Sequence, residues 1–182
     1  MTCIAGIVDN DGTVYIGGDS AGVAGLDLWI RADKKVFKNG PFIMGFTSSF
    51  RMGQLLQHSL KPPKYYGDID IEKFMVTQFI NAVRTCLKDG GFAEKDKEVE
   101  RGGTFLVGFN GKLFRIEGDY QVGESACNFD ACGCGQSFAM GAFYATEGKP
   151  AKERVLTALE AAERFSAGVR RPFHVEVLGK QD

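Results

Sequence analysis

The sequence lacks any long apolar run and any strong excess of one charge. No apolar stretch approaches the roughly 18 residues that a membrane-spanning helix needs, and no basic segment precedes an apolar one as in a secretory signal peptide. The 22 lysines and arginines nearly balance the 23 aspartates and glutamates, which leaves a net charge of −1. We therefore expect neither a membrane nor a nucleic acid as a partner.

Cysteines are few and odd in number, five in 182 residues. Without secretory features, this number favours reduced thiols in the cytoplasm over a disulfide framework. Three of them follow a C-x4-C-x-C spacing that is not a usual zinc pattern, so we expect no metal site. Repeats and low-complexity segments are also absent, and the composition (44% hydrophobic) predicts one compact domain over residues 1–182.

Short apolar runs separated by turn signals predict strands in the first 46 residues. CIAGIV and TVYIGG flank an Asp-Gly turn, which indicates a hairpin, and KKVFK and FIMGF form a second strand pair around Asn-Gly-Pro. The small-residue segment SAGVAGLDLW between the two pairs is predicted to be a loop.

Helical spacing replaces the strand pattern after Ser48. One helix carries Met52 to Leu60, and a second is predicted from about Asp70 to Leu87, where apolar residues recur every three or four positions. The phenylalanines that we expect in the core on such helical stripes are Phe50, Phe74, Phe79 and Phe138.

In the second half of the chain, predicted strands are again followed by two predicted helices. A charged loop, AEKDKEVERGG, precedes the hairpin TFLVGF–LFRIEG, and one further strand is expected between Tyr120 and Ala131. CGCGQSFAMGAFYAT is predicted to be a glycine turn that leads into a helix. PAKERVLTALEAAERFS is a predicted helix, and PFHVEVL is the last strand. This order predicts an α+β fold, a four-layer αββα sandwich of two antiparallel sheets covered by helices.

Two charged residues at strand ends are candidates for chemistry. Asp19 follows VYIGG, and Lys35 begins a neighbouring strand, so their side chains could meet near the start of the first strand. There Lys35 would lower the pKa of a nearby hydroxyl or amine. A free N-terminal amine, with a pKa of roughly 7.7–8.0, is a base suited to neutral pH. From spacing alone, a surface ion pair worth roughly 0–1 kcal/mol is the better interpretation.

The order of short motifs changes that interpretation. TCIAGI, GGDS, KKV, MGFTSS, CGCGQS and RFSAG resemble, in sequence order, segments of the β-type proteasome subunits and of the bacterial HslV peptidase. These are N-terminal-nucleophile hydrolases (Ntn hydrolases) with the sandwich fold inferred above. The resemblance runs from Thr2 to the last strand. It implies a threonine-type endopeptidase that needs no cofactor, cleaves polypeptides, assembles as a homo-oligomeric ring and commonly works with an ATPase unfoldase.

The resemblance also assigns the reacting groups. Thr2 would be the nucleophile once Met1 is removed, and its own amine would act as the base. Asp19 and Lys35 fall on the catalytic aspartate and lysine, with the family's separation of 16 positions. Ser49 falls on the glycine whose N–H forms the oxyanion hole, where only a backbone donor is needed.

Three supporting residues and a specificity pocket follow from the same resemblance. Cys134 replaces a supporting serine, Glu163 replaces a supporting aspartate, and Ser166 keeps the family's serine. The residues placed along the pocket are Val23, Phe37, Thr47 and Arg51. Arg51 would favour an acidic substrate side chain.

The nucleophile is ambiguous by one residue. Thr2 lies 17 positions before Asp19, whereas Cys3 has the family's spacing of 16. A one-residue insertion in the DNDG turn would restore Thr2, and a slip of one would turn the side chains to the other face of the strand. Two alternatives to the threonine peptidase therefore stay open: a non-catalytic ring or scaffold homologue that retains Met1, and an N-terminal amidohydrolase that uses Cys3.

Overall fold

Two antiparallel sheets form the centre of the computed structural model, which describes residues 1–96 and 99–180. The strands in chain order are β1 (Cys3–Val8), β2 (Val14–Gly18), β3 (Ala21–Ala24), β4 (Asp27–Ile30), β5 (Val36–Asn39), β6 (Phe42–Phe46), β7 (Glu94–Asp96), β8 (Val99–Arg101), β9 (Phe105–Phe109), β10 (Lys112–Ile116), β11 (Val122–Glu124), β12 (Phe129–Gly133) and β13 (His174–Leu178). One sheet has the order β12-β1-β2-β13, and the other has the order β11-β10-β9-β6-β5.

Helices cover the outer face of each sheet. They are α1 (Phe50–His58), α2 (Ile71–Phe74), which continues through the π-helical turn Met75–Phe79 into α3 (Ile80–Asp89), then α4 (Gln136–Ala145) and α5 (Ala151–Phe165). Helices α1, α2 and α3 pack on the five-stranded sheet, and α4 and α5 pack on the four-stranded sheet. The predicted four-layer αββα sandwich is therefore confirmed. None of the helices in the described ranges is long and apolar enough to cross a membrane.

Alternation along β1 decides which side chains face the second sheet. Cys3, Ala5 and Ile7 belong to the apolar cluster under α4 and α5, whereas Ile4 lies in the cluster between the two sheets. Successive side chains of a strand point to opposite faces. Thr2, which directly precedes β1, is therefore expected on the same side as Ile4.

Polar caps explain where the first two helical segments begin. The Ser49 side chain accepts a hydrogen bond from the Arg51 N–H at the start of α1. The Asp70 carboxylate accepts hydrogen bonds from the N–H groups of Glu72 and Lys73 at the start of α2. Such side-chain acceptors satisfy N–H groups that have no partner within the helix. The helix predicted from Asp70 thus begins one residue later.

Both segments predicted to be loops contain short hairpins instead. SAGVAGLDLW forms β3 and β4, because Gly25 takes the positive φ of +60° that their turn requires. The charged segment forms β7 and β8, while its residues 97–98 lie outside the described residues. Between Tyr120 and Ala131 the chain forms two strands, β11 and β12, instead of one.

One expected core residue lies at the surface. Phe74 and Phe79 are buried and Phe50 is partly buried, but Phe138 is 39% exposed and its ring lies 5.5 Å from that of the exposed Phe165. The prediction for Phe138 was wrong, because α4 is apolar on more than the one face that the sheet covers.

Candidate active site

The Lys35 ammonium is buried beside the start of β1. Its Nζ donates hydrogen bonds to Thr2 Oγ1 at 2.8 Å, to Asp19 Oδ1 at 2.8 Å and to the Ala21 carbonyl at 2.6 Å. A lysine ammonium has three N–H donors, so these acceptors match its full capacity. The side chain is 1% exposed, so it is not the surface ion pair that spacing alone favoured.

The Asp19 carboxylate accepts hydrogen bonds from Lys35 and from three backbone N–H groups. The backbone donors are the N–H groups of Cys3 at 3.0 Å, Ala21 at 2.9 Å and Arg170 at 3.2 Å. A buried carboxylate needs such donors to replace its lost hydration. The ion pair is therefore fixed by the backbone of three different segments.

Thr2 is nearly buried and is held through its nitrogen as well as its hydroxyl. Its N–H donates to Cys134 Sγ at 3.3 Å, and the Ser166 hydroxyl donates to the same sulfur at 3.2 Å. The Thr2 hydroxyl also donates to the Met1 carbonyl. The structure thus brings Thr2, Cys134 and Ser166 together, with the Thr2 nitrogen in a peptide bond to Met1.

Burial acts on two ionisable side chains near Thr2, those of Lys35 and Cys3. It lowers the pKa of Lys35, against the opposing effect of the Asp19 charge. Burial and the Asp19 charge raise the pKa of Cys3 to about 12, so the Cys3 thiol is protonated at neutral pH. Cys3 is fully buried in the cluster under α4 and α5, on the other face of β1 from Lys35.

Gly133 brings the turn between β6 and α1 close to the start of the chain. It has a φ of +97°, and a Cβ on it would lie 2.2 Å from the Thr2 carbonyl oxygen and 3.3 Å from Thr47 Oγ1. No other residue type fits this position without displacing backbone. Thr47, at the start of this turn, consequently lies near Thr2.

Within that turn, the N–H of Ser49 is occupied. It donates to the Thr47 carbonyl at 2.8 Å, while the Ser49 hydroxyl caps α1. Ser48 has a φ of +66°, its hydroxyl accepts from the Thr104 N–H, and its own N–H has no hydrogen-bond partner among the described residues. Among the described residues, the N–H of this turn without a partner is therefore that of Ser48, one residue before the position that the resemblance implies for the oxyanion donor.

The structure does not bring Glu163 to the Thr2 cluster. Its carboxylate accepts hydrogen bonds from the N–H and from Nε of Arg171, both at 2.8 Å. The extra methylene of glutamate, compared with aspartate, extends its carboxylate to this later residue. The supporting role that the resemblance implies for Glu163 stays a prediction, and its contact here is with Arg171.

The four predicted pocket residues have different surroundings. Phe37 is 4% exposed in the core beneath α1, and Arg51 donates to the Gly90 carbonyl at 3.2 Å. Val23 is half-buried on β3, and Thr47 is nearly buried beside Gly133. That the four line one specificity pocket stays a prediction.

Sequence analysis missed an aromatic neighbour of the lysine. The Phe50 ring centroid lies 5.7 Å from Lys35 Nζ, and the Arg31 guanidinium lies 4.1 Å from the same ring. Arg31 also forms a two-pronged ion pair with Asp33. The helical spacing of Phe50 indicated only a core residue, so no sequence signal pointed to this contact.

No metal-binding arrangement accompanies these groups. Across residues 1–96 and 99–180, no group of three or more His, Cys, Asp or Glu side chains could hold a metal ion. All five cysteines are free thiols.

Comparisons with known proteins identify the fold. No protein-family model matches the chain, and no curated protein does. BPH from Thiobacillus denitrificans, in complex with epoxomicin, has a TM-score of 0.76 and 19% identity, covering 98% of this chain and 100% of that one. Eukaryotic HslV from Trypanosoma brucei has a TM-score of 0.70 and 21% identity, covering 97% and 99%. Anbu (ancestral beta-subunit) from Yersinia bercovieri has a TM-score of 0.67 and 15% identity, covering 97% and 81%.

Identities this low carry information about the fold alone. The chain therefore has the proteasome β-type, HslV-like fold of Ntn hydrolases, as the order of its motifs predicted.

Proposed function

We propose, with this fold as the premise, that the chain is a proteasome-like threonine-type endopeptidase subunit whose nucleophile is Thr2 after removal of Met1. The observation that carries the proposal is the 2.8 Å hydrogen bond from Lys35 to the Thr2 hydroxyl, inside a fully buried ion pair with Asp19. A buried ammonium directed at a hydroxyl stabilises the alkoxide form of that hydroxyl.

The reaction uses groups that are all on Thr2 or next to it. Loss of Met1 frees the Thr2 amine, which takes the hydroxyl proton, directly or through a water, as Oγ attacks the scissile carbonyl. The tetrahedral intermediate collapses to an ester on Thr2, and the amine passes its proton to the departing peptide nitrogen. Water then attacks the ester with the same amine as base, which releases the acyl product and restores Thr2. Lys35 stabilises the negative charge that develops on Oγ.

The oxyanion of that intermediate needs a backbone donor, and Ser48 is the better candidate. Its N–H has no hydrogen-bond partner among the described residues, whereas the N–H predicted for this role, that of Ser49, is bound to the Thr47 carbonyl. We assign the oxyanion role to Ser48 on this basis.

Geometry favours Thr2 over Cys3 as the nucleophile. The Cys3 thiol is buried under the helices, has a raised pKa and makes no hydrogen bond to Lys35. Thiolate, not thiol, is the reactive form of cysteine. The amidohydrolase alternative would require a rearrangement of β1.

The test combines a mass measurement with a covalent probe. Intact mass of the protein from its own host is expected to lack Met1, and epoxomicin, the ligand of the Thiobacillus protein, is expected to add its mass to the chain. Thr2→Ala should abolish both the adduct and peptide cleavage, whereas the matched variant Cys3→Ala should keep both. Retention of Met1 on every molecule, without cleavage, would instead support the scaffold alternative.

We propose further that the subunits assemble as a homo-oligomeric ring in the cytoplasm, with an ATPase unfoldase as a candidate partner. Supporting observations are the free thiols and an apolar surface on the β3–β4 hairpin. The exposed apolar residues of that hairpin are Leu26, Leu28, Trp29 and Ile30. Light scattering should give a mass several times 19.8 kDa, and Trp29→Ser should lower it. A monomer at micromolar concentration would contradict the ring.

A further inference from the structure

Glu163 bridges the end of α5 and the segment that follows it. It lies in the last turn of the helix, and its carboxylate binds both the N–H and the Nε of Arg171. The Glu163 side chain is 21% exposed, whereas that of Arg171 is 59% exposed. Although burial raises the pKa of Glu163, the hydrogen bonds from Arg171 outweigh it and hold the pKa below its usual range. The carboxylate therefore fixes the Arg171 backbone, and not only a surface ion pair.

The segment that Glu163 fixes is bound to the strand end that carries Asp19. The Arg170 N–H donates to Asp19 Oδ2 at 3.2 Å, and the Arg170 carbonyl accepts from the Ser20 N–H at 2.8 Å. The Ser20 hydroxyl donates to the Pro172 carbonyl at 2.7 Å. Displacement of this segment would therefore displace Asp19.

Asp19 connects this segment to the nucleophile. Its Oδ1 accepts from Lys35 Nζ at 2.8 Å, and Lys35 donates in turn to Thr2 Oγ1. We propose that Glu163 is a positioning residue: it orients the Asp19–Lys35 ion pair through the backbone of Arg170 and Arg171, without contacting Thr2. As a statement about the reaction, this inference rests on the proposed function.

The chain offers a matched control for the test. Glu160 also faces Arg171, but only through a 3.6 Å ion pair with Nη2, and its side chain is 56% exposed. Glu163→Ala is expected to lower kcat at least about tenfold with KM within about twofold, because a small displacement of a catalytic group lowers rates by up to about 10². Glu160→Ala should leave kcat unchanged.

Two further variants separate the backbone contact from the ion pair. Glu163→Gln keeps an oxygen that accepts from the Arg171 N–H, so it should restore most of the activity lost in Glu163→Ala. Arg171→Ala removes the guanidinium but keeps the backbone N–H, so kcat should fall less in Arg171→Ala than in Glu163→Ala. Equal losses in Arg171→Ala and Glu163→Ala, or no rescue by glutamine, would overturn the backbone route.

A second readout does not depend on catalysis. In a Thr2→Ala background, NMR titration of labelled lysine side chains follows Lys35, identified by its loss in Lys35→Arg. Glu163→Ala should lower the pKa of Lys35 further, because a displaced Asp19 no longer opposes the effect of burial. Glu160→Ala should not change it.

The two readouts distinguish the possible failures. If the wild-type protein cleaves nothing but the Lys35 titration moves as expected, the proposed function fails and the positioning role stands. If Glu163→Ala folds normally by circular dichroism and leaves the Lys35 titration unchanged, the positioning role is refuted, whatever the activity.

Discussion

Replacement of Lys35 by methionine tests the buried ion pair without reference to activity. Lys35 is 1% exposed and the Asp19 side chain is 0% exposed, with 2.8 Å between Nζ and Oδ1. At an effective dielectric constant of about 20, two unit charges at that distance attract by about 6 kcal/mol. Methionine has nearly the same length as lysine and no charge, so the substitution removes the attraction and leaves the carboxylate buried.

The expected loss of stability follows from what Asp19 retains. Removal of one partner of a buried ion pair typically destabilises a protein by about 3–5 kcal/mol. Three backbone N–H groups still donate to Asp19, so we expect the low end, about 3 kcal/mol. For a chain of this size that corresponds to a fall in Tm of roughly 6–12 °C.

Thermal and urea unfolding of matched variants would measure this loss. Lys34→Met is the control, because Lys34 is 52% exposed and its partner Glu176 is 3.5 Å away. Adding Asp19→Asn to Lys35→Met should recover part of the loss, because no charge then remains buried. A Lys35→Met protein that is as stable as Lys34→Met would refute the burial of the pair.

Three further predictions concern single sites. Iodoacetamide should alkylate the exposed Cys134 in the folded protein but not the buried Cys3, as peptide mass mapping would show; labelling of native Cys3 would contradict its burial. Gly133→Ala should destabilise the protein by about 2 kcal/mol or more, because its φ is positive and its Cβ would meet the Thr2 carbonyl; unchanged thermal unfolding would contradict that approach. Because the pKa of Glu163 is lowered, the carboxylate stabilises the folded protein above about pH 4.3, and this stabilisation is lost as the pH falls through the folded-state pKa. Glu163→Gln should therefore weaken the fall in the free energy of unfolding at acid pH, measured by urea unfolding. An unchanged pH dependence would contradict the contact.

The layers of sheets and helices and the main hairpin pairs of strands were predictable, because each depends on local sequence patterns. Alternating apolar residues and turn glycines predicted β1, β2, β9 and β10, and helical spacing predicted α1, α3 and α5. The β3–β4 hairpin was not predictable in this way, because its first strand consists mainly of small residues that lack the β-branched or aromatic signal of a strand.

The charged pair of the site was also predictable, but the backbone groups that bind it were not. Asp19 and Lys35 matched a known spacing, and they meet as expected. The Ala21 carbonyl and the Arg170 N–H, which complete the pair, are backbone groups that every residue carries, so side-chain identity gives no signal for them. The same reason applies to the backbone N–H of Ser48, which we propose as the oxyanion donor in place of that of Ser49.

The alternating direction of side chains along β1 favours Thr2 as the nucleophile more than the number of positions before Asp19 does. The number of positions before Asp19 pointed to Cys3. However, the turn after β1 closes with a hydrogen bond from the Asp9 N–H to the Thr13 carbonyl. One more residue in this turn changes the number of positions without changing how β1 and β2 pair. Ile4 lies between the sheets, so the residue two positions earlier belongs to the same face. Lys35 reaches that face and donates to Thr2 there, while Cys3 faces the helices. A nucleophile must lie on the face that carries its activating group, and on β1 that is the face shared by Thr2 and Ile4.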